Sequence, residues 1–244
     1  MRAVYTKDLR QYFSSLTGYI AIIVFLLMAG LFLFVFPDSS ILDFGYASLE
    51  KFFDLAPWIF LLLIPAITMR SLADEFRAGT FEILQTRPLS SWQIVFGKYF
   101  AAQFVILIAL IPTLIYFFSV NSLSGAGGID TGATLGSYAG LIFLSATFTS
   151  IGICCSSFTA NAVVAFIASA FFCFLFYSGF DAISRLPSMV GSLDYYIEML
   201  GIDFHYRSIS RGVLDSRDLI YFISLIYFFL FLTKRNLDKH QVQK

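Results

Sequence analysis

Residues 16–36 read LTGYIAIIVFLLMAGLFLFVF, an apolar run without a single charged side chain. A helix crossing the roughly 30 Å hydrocarbon core of a bilayer needs about 20 residues of this kind. The stretch therefore predicts a membrane span, and the same reading recurs at 100–120, 136–157 and 160–179. Two shorter apolar runs, 55–69 and 219–233, reach spanning length only where their helices continue into polar flanks, giving spans at about 55–70 and 217–234. Every Lys, Arg, Asp and Glu lies outside the six apolar runs. A cation at mid-bilayer costs about 2.5–3.5 kcal/mol on insertion scales, so this partition independently predicts the same six spans.

Composition agrees. The 244 residues are 58% hydrophobic and 13% charged, against about 25% charged in a typical soluble domain, and the mean hydropathy is +0.79. The formal net charge is zero, so no bulk field favours nucleic acid. Cys154, Cys155 and Cys173 sit in apolar stretches and read as packing residues, not as a disulfide framework.

Orientation follows from the positive charges. Arg2, Lys7 and Arg10 precede the first span, Arg70, Arg77, Arg87 and Lys98 lie between the second and third, and Lys234, Arg235, Lys239 and Lys244 follow the last. No Lys or Arg falls in 121–135. The asymmetry predicts cytoplasmic termini. Residues 181–218, with four arginines, oppose it, so an odd number of spans is the competing topology; six spans make this segment external, with room for one or two short helices in the outer leaflet. The first apolar run exceeds the 7–15 residues of a secretory signal.

Ahead of the first span, Tyr5, Leu9, Tyr12, Phe13 and Leu16 recur at helical spacing opposite Lys7, Arg10 and Ser14, which predicts an interfacial helix on the membrane lipid. The connection 70–98 reads RSLADEFRAGTFEILQTRPLSSWQIVFGK. Leu72, Phe76, Gly79 and Ile83 share one helical stripe, with Asp74, Glu75, Arg77, Glu82 and Gln85 facing elsewhere, so a short surface helix suited to a partner is expected. Pro88 ends it, and Ser90 with Gln93 offers a capping box for the next span. Gly97-Lys98 is not the tail of a phosphate loop, because Trp92 stands where the first glycine belongs and Tyr99 where the hydroxyl residue does. The spans carry no ionisable Asp, Glu, His, Lys or Arg for proton coupling or acid–base chemistry. The chain is thus expected to be no enzyme, to bind no cofactor or metal, and to draw its energy from another subunit. Ser145, Thr147, Thr149 and Ser150 are expected to bond between helices, Gly136 and Gly140 to allow close packing, and Pro65 and Pro112 to kink their spans. His205 lacks ligands at metal spacing and reads as a satisfied surface histidine.

These features resemble the permease subunit of type-2 ABC exporters over the whole length. The resemblance is carried by Tyr46-Ala47-Ser48-Leu49-Glu50, Leu55-Ala56-Pro57-Trp58 and Pro65-Ala66-Ile67-Thr68-Met69-Arg70. Glu75, Gly79-Thr80, Glu82, Arg87-Pro88 and Gly97-Lys98 follow, then Gly179-Phe180-Asp181 and Ser210-Arg211-Gly212-Val213-Leu214-Asp215. Within that family the overall similarity is to the gliding-motility-associated permeases. The resemblance implies an all-α integral membrane fold, one transmembrane domain over 1–244, in the bacterial cytoplasmic (inner) membrane. It has six transmembrane helices, an N-terminal interfacial helix and a cytoplasmic coupling helix at 71–86 between spans two and three. It also implies an ABC ATPase subunit resting on Glu75, Arg77, Gly79, Thr80, Glu82, Arg87 and Pro88, a second permease subunit, and alternating access. Two functions fit: export of a cargo, or a membrane scaffold or motility anchor that passes ATPase-driven motion to a partner without transport.

Overall fold

The structure, a computed structural model, describes residues 1–36, 48–85, 89–124, 129–187, 191, 194–213 and 215–242. Among these, every regular element is a helix: α1 (Arg2–Ser14), α2 (Leu16–Phe34), α3 (Glu50–Thr68), α4 (Ala73–Arg77), α5 (Thr80–Gln85), α6 (Ser91–Leu110) and α7 (Leu114–Leu123). They continue with α8 (Thr131–Ser157), α9 (Ala162–Phe174), α10 (Phe180–Ser184), α11 (Asp194–Glu198), α12 (Ile202–Ser210) and α13 (Ser216–Val242). Six helical stretches are long and apolar enough to cross a membrane: Leu16–Phe34, Glu50–Arg77, Ser91–Leu123, Thr131–Ser157, Ala162–Ser184 and Ser216–His240.

α8 is the axis of the bundle, packed against α3, α6, α9, α12 and α13. Apolar side chains gain little by leaving lipid for protein, so membrane helices associate through small residues that let backbones approach. α8 does this at three glycines. A Cβ on Gly136 would stand 2.6 Å from the Ile209 carbonyl oxygen, one on Gly140 3.1 Å from the Tyr206 ring, and one on Gly152 would collide with Thr68 Oγ1. The close packing expected of Gly136 and Gly140 is thus met inside this chain, against α12. Gln103 of α6 donates to Ser145 Oγ at 2.9 Å and accepts from Thr149 Oγ1 at 3.0 Å, a satisfied interhelical pair in the core. α2, α9 and α13 lie outside, presenting Ile20, Leu27, Val163, Ile167, Ile220 and Ile223 to the surroundings. In lipid such faces are at home.

Several elements follow their local sequence. Ser90 and Gln93 close the capping box of α6, Asn161 caps α9 through the Val163 N–H at 2.9 Å, and Pro112 sits in a 3-10 turn, Ile111–Thr113, between α6 and α7. Span five is interrupted by a π-helical turn, Leu175–Gly179. Beyond it, α11 and α12 form the short helices expected in 181–218. His205 is a correction: it is buried, 3% exposed, not a surface residue. Its ring stacks on Tyr221 at 3.9 Å between centroids and is fixed by Asp218 Oδ1 at 2.6 Å and the Met199 carbonyl at 2.9 Å.

Candidate functional site

At the end of the bundle that carries α1 and the last turns of α13, the connection between spans two and three folds back against the helix ends. It is helical, but in two pieces. Gly79 adopts φ +68°, a left-handed conformation that ends α4 and starts α5, so the single helix expected over 71–86 is broken at its glycine.

Ser156 at the end of α8 anchors the first piece. Its Oγ accepts from the Leu72 and Ala73 N–H groups, each at 3.0 Å, and donates to the Met69 carbonyl at 3.0 Å. Two backbone donors at the start of α4, which have no intrahelical partner, are thereby satisfied. Leu72 is fully buried, and Phe76 packs edge-on against Phe81 at 4.9 Å and beside the His240 ring at 5.0 Å.

The charged side of α4 divides in two. Glu75 points inward, 9% exposed. Its Oε1 accepts from Lys7 Nζ at 2.6 Å and lies 3.0 Å from Lys98 Nζ. Lys98 is 2% exposed and also reaches Asp8 Oδ2 at 3.1 Å and the Ser71 carbonyl at 2.6 Å. One buried ammonium therefore ties α1, α4 and α6 together. Desolvating it would be prohibitive without such partners.

α1 can reach Lys98 because of Gly97. A Cβ there would stand 2.9 Å from Val4 Cβ, so only glycine lets α1 lie this close to α6. The Gly97-Lys98 pair is an interhelical contact and its ion-paired anchor. Of the residues expected to lie against the membrane interface, Tyr5, Leu9, Tyr12 and Phe13 are all partly buried, while Val4 and Asp8 are the buried positions of α1. Tyr12 donates to the Ile67 carbonyl at 3.3 Å; burial, with the Asp8 carboxylate adding to it, pushes its hydroxyl well above the ordinary tyrosine range and keeps it a neutral donor.

The outward side is the other half. Arg77, Ala78, Gly79, Thr80 and Glu82 are exposed, with Arg77 3.6 Å from Asp74. Beside them a cavity of about 290 Å³ lies between Phe81, Glu82, Phe158 and His240. Arg77, Gly79, Thr80 and Glu82 thus share one surface, whereas Glu75 faces the interior. Arg87, Pro88 and Thr86 lie outside the described residues, as do Tyr46, Ala47 and Leu214. No local pattern in the sequence marks Asp8, Lys98 or Ser156 as site residues; the nearest signal is the Gly97-Lys98 pair.

Residues 2–198 match the family model described as ABC-2 family transporter protein. No curated protein matches the chain.

Proposed function

This chain belongs to the ABC-2 transporter family, and we propose on that basis that it is the permease of an ATP-driven exporter of the gliding-motility-associated type. It is a membrane permease of an ABC system, and that family works with an ABC ATPase subunit. In our reading the ATPase is a separate polypeptide in contact with Arg77, Gly79, Thr80 and Glu82; the family resemblance assigns Arg87 and Pro88, which lie outside the described residues, to the same role. A second permease subunit completes the transporter in the bacterial inner membrane, with both termini cytoplasmic and α1 lying on the membrane lipid.

The observation that carries this reading is the two-sided build of α4 and α5. The inner side is fixed to α1, α3, α6 and α8 by Lys7, Lys98 and Ser156, and the outer side offers charge and an exposed glycine turn. A surface so anchored passes a push to α1, α3, α6 and α8 without being absorbed by a soft loop. ATP-driven closure of the ATPase pair would then open one face of the permease pair and shut the other.

The test is affinity purification of the chain from native membranes. An ABC ATPase should co-purify, with its ATP turnover altered by substitutions on the outer side. Recovery of the intact chain with no ABC ATPase would overturn the proposal.

A further inference from the structure

At the opposite end of the bundle, α3, α8, α12 and the π-helical turn surround a cavity of about 810 Å³. Its charged lining is Glu50, Asp54, Asp130, Asp181 and Asp203 against Arg185, Arg207 and Arg211, an excess of two negative charges. Two of the guanidiniums are committed: Arg185 to Asp181 at 3.0 Å and Arg207 to Asp203 at 2.8 Å. Asp54 makes no direct hydrogen bond or ion pair among the described residues, and the Arg207 and Lys51 charges act on its carboxylate only at longer range.

Asp54 is also placed unusually. α3 is otherwise covered by its neighbours, but between residues 51 and 65 its side chains at 54, 58 and 62 are exposed. Residues four apart lie on one helical face, so Asp54, Trp58 and Leu62 form one open stripe running from the cavity toward the middle of the span. Trp58 is 47% exposed and Leu62 58%. The Trp58 ring is steadied edge-on by Tyr177 at 5.6 Å between centroids, and Tyr177 is placed there by the π-helical turn. Such turns are often found at functional sites. Tyr206 fixes the start of the stripe from below by donating to the Phe53 carbonyl at 2.7 Å.

We propose that this stripe binds a hydrophobic organic cation, its charged group held between the Asp54 carboxylate and the Trp58 ring face and its apolar tail along Leu62. A carboxylate supplies the counter-charge and an indole face attracts a cation through its quadrupole. An apolar continuation at the third position selects an amphiphile over a small inorganic ion. Recognition here is independent of the ATPase contact.

The chain contains two tryptophans. Trp92 lies at the other end, stacked on Phe96 and Tyr227, so Trp92→Phe leaves Trp58 as the sole reporter. In vesicles of phosphatidylglycerol, N-octylpyridinium, which quenches indole on contact, should quench Trp58 saturably. Octyltrimethylammonium should reverse the quenching and octanol should not. Asp54→Asn should raise the midpoint about tenfold, the equivalent of about 1.4 kcal/mol, and Asp54→Glu should restore most of it. Quenching by neutral acrylamide should be equal in all three, showing an unchanged fold around Trp58. Headgroup ammoniums have the same chemistry. In phosphatidylcholine vesicles, loss of the difference between Asp54 and Asn would identify lipid headgroups as the resident cation, and its persistence would identify a free one. Linear quenching, displacement by octanol as readily as by the ammonium, or an Asn variant indistinguishable in phosphatidylglycerol would each overturn the site.

Discussion

Lys98 of α6 and Asp8 of α1 form a 3.1 Å ion pair in which both side chains are almost completely buried, 2% and 7% exposed. They are ninety positions apart in sequence, and Glu75 of α4 completes the cluster at 3.0 Å. Removing one partner of a buried pair strands the other charge, at about 3–5 kcal/mol, whereas replacing the whole set by neutral groups is far cheaper. Lys98→Met should therefore lower the melting temperature sharply and expose α1 to protease. Adding Asp8→Asn and Glu75→Gln to it should recover part of that loss. A triple variant as unstable as the single one would show that Lys98 acts by packing alone.

Gly97 sets the distance at which this pair forms. Gly97→Ala would force Val4 and α1 away from α6, an overpacking cost of about 1–3 kcal/mol, because its Cβ meets Val4 Cβ at 2.9 Å. Val4→Gly, which removes that neighbour, should make the same alanine nearly neutral. A double-mutant cycle on thermal stability with no coupling between positions 97 and 4 would contradict the contact.

Ser156→Ala would leave the Leu72 and Ala73 N–H groups buried without an acceptor, about 1–3 kcal/mol for each such group. Membrane insertion should be unaffected, since α8 keeps its apolar length. Amide exchange at Leu72 and Ala73 should accelerate by at least about tenfold, the factor expected from about 1.4 kcal/mol of local destabilisation. Unchanged exchange would mean the anchor lies elsewhere.

Much of this was legible in sequence, and the gaps have physical causes. Apolar runs declare spans because a lipid-spanning helix admits almost nothing else, and α1 declared itself by its period. The buried cluster did not, because Lys98 lies just outside the apolar run at 100–120, while α6 begins as early as Ser91. The helix, not the apolar run, decides which polar groups are carried into the bundle. The periodicity of 71–86 groups Glu75 with the outward charges because no local pattern shows that Lys7 of α1 and Lys98 of α6 cover that side of α4; the left-handed Gly79 separately restarts the register at Thr80 for the residues that follow. The burial of His205 has no signature near it in sequence because its covering partners, Tyr221 and Asp218, belong to the last span. No local pattern links them.

At the opposite end, burial raises Asp203 above the ordinary carboxylate range, opposed by the Arg207 guanidinium. A carboxyl group with a raised folded-state pKa binds more protons folded than unfolded, so its contribution to stability falls as pH rises from its unfolded value, about 3.9, through the folded one. Asp203→Asn has no such titration. The stability difference, wild type minus Asp203→Asn, should therefore decrease with rising pH across that window and then level off. An increase, followed by thermal melts in buffered detergent, would reverse the assigned sign.

The outward and inward charges of α4 and α5 should separate cleanly in one experiment. Arg77→Glu and Glu82→Lys alter exposed side chains of the outer surface, where a surface substitution typically moves stability within about 0.5 kcal/mol. If that surface carries the ATPase, each reversal places like charges across a contact and can cost several kcal/mol of association. Both variants should insert, melt like the parent and lose the ATPase on purification. Glu75→Gln should do the opposite, losing stability through Lys98 while association declines only as the fold does. Gly79 links the two behaviours: nothing lies within 4 Å of a Cβ there, so Gly79→Ala is strained only by φ +68°, at about 1–2 kcal/mol. Gly79→Pro cannot adopt that angle at all and should disorder the turn between the two short helices. Its expected signature is normal membrane abundance with no ATPase retained. If Arg77→Glu, Glu82→Lys and Gly79→Pro all insert, keep the ATPase and sustain function in cells, the contact must lie on another surface at this end of the bundle.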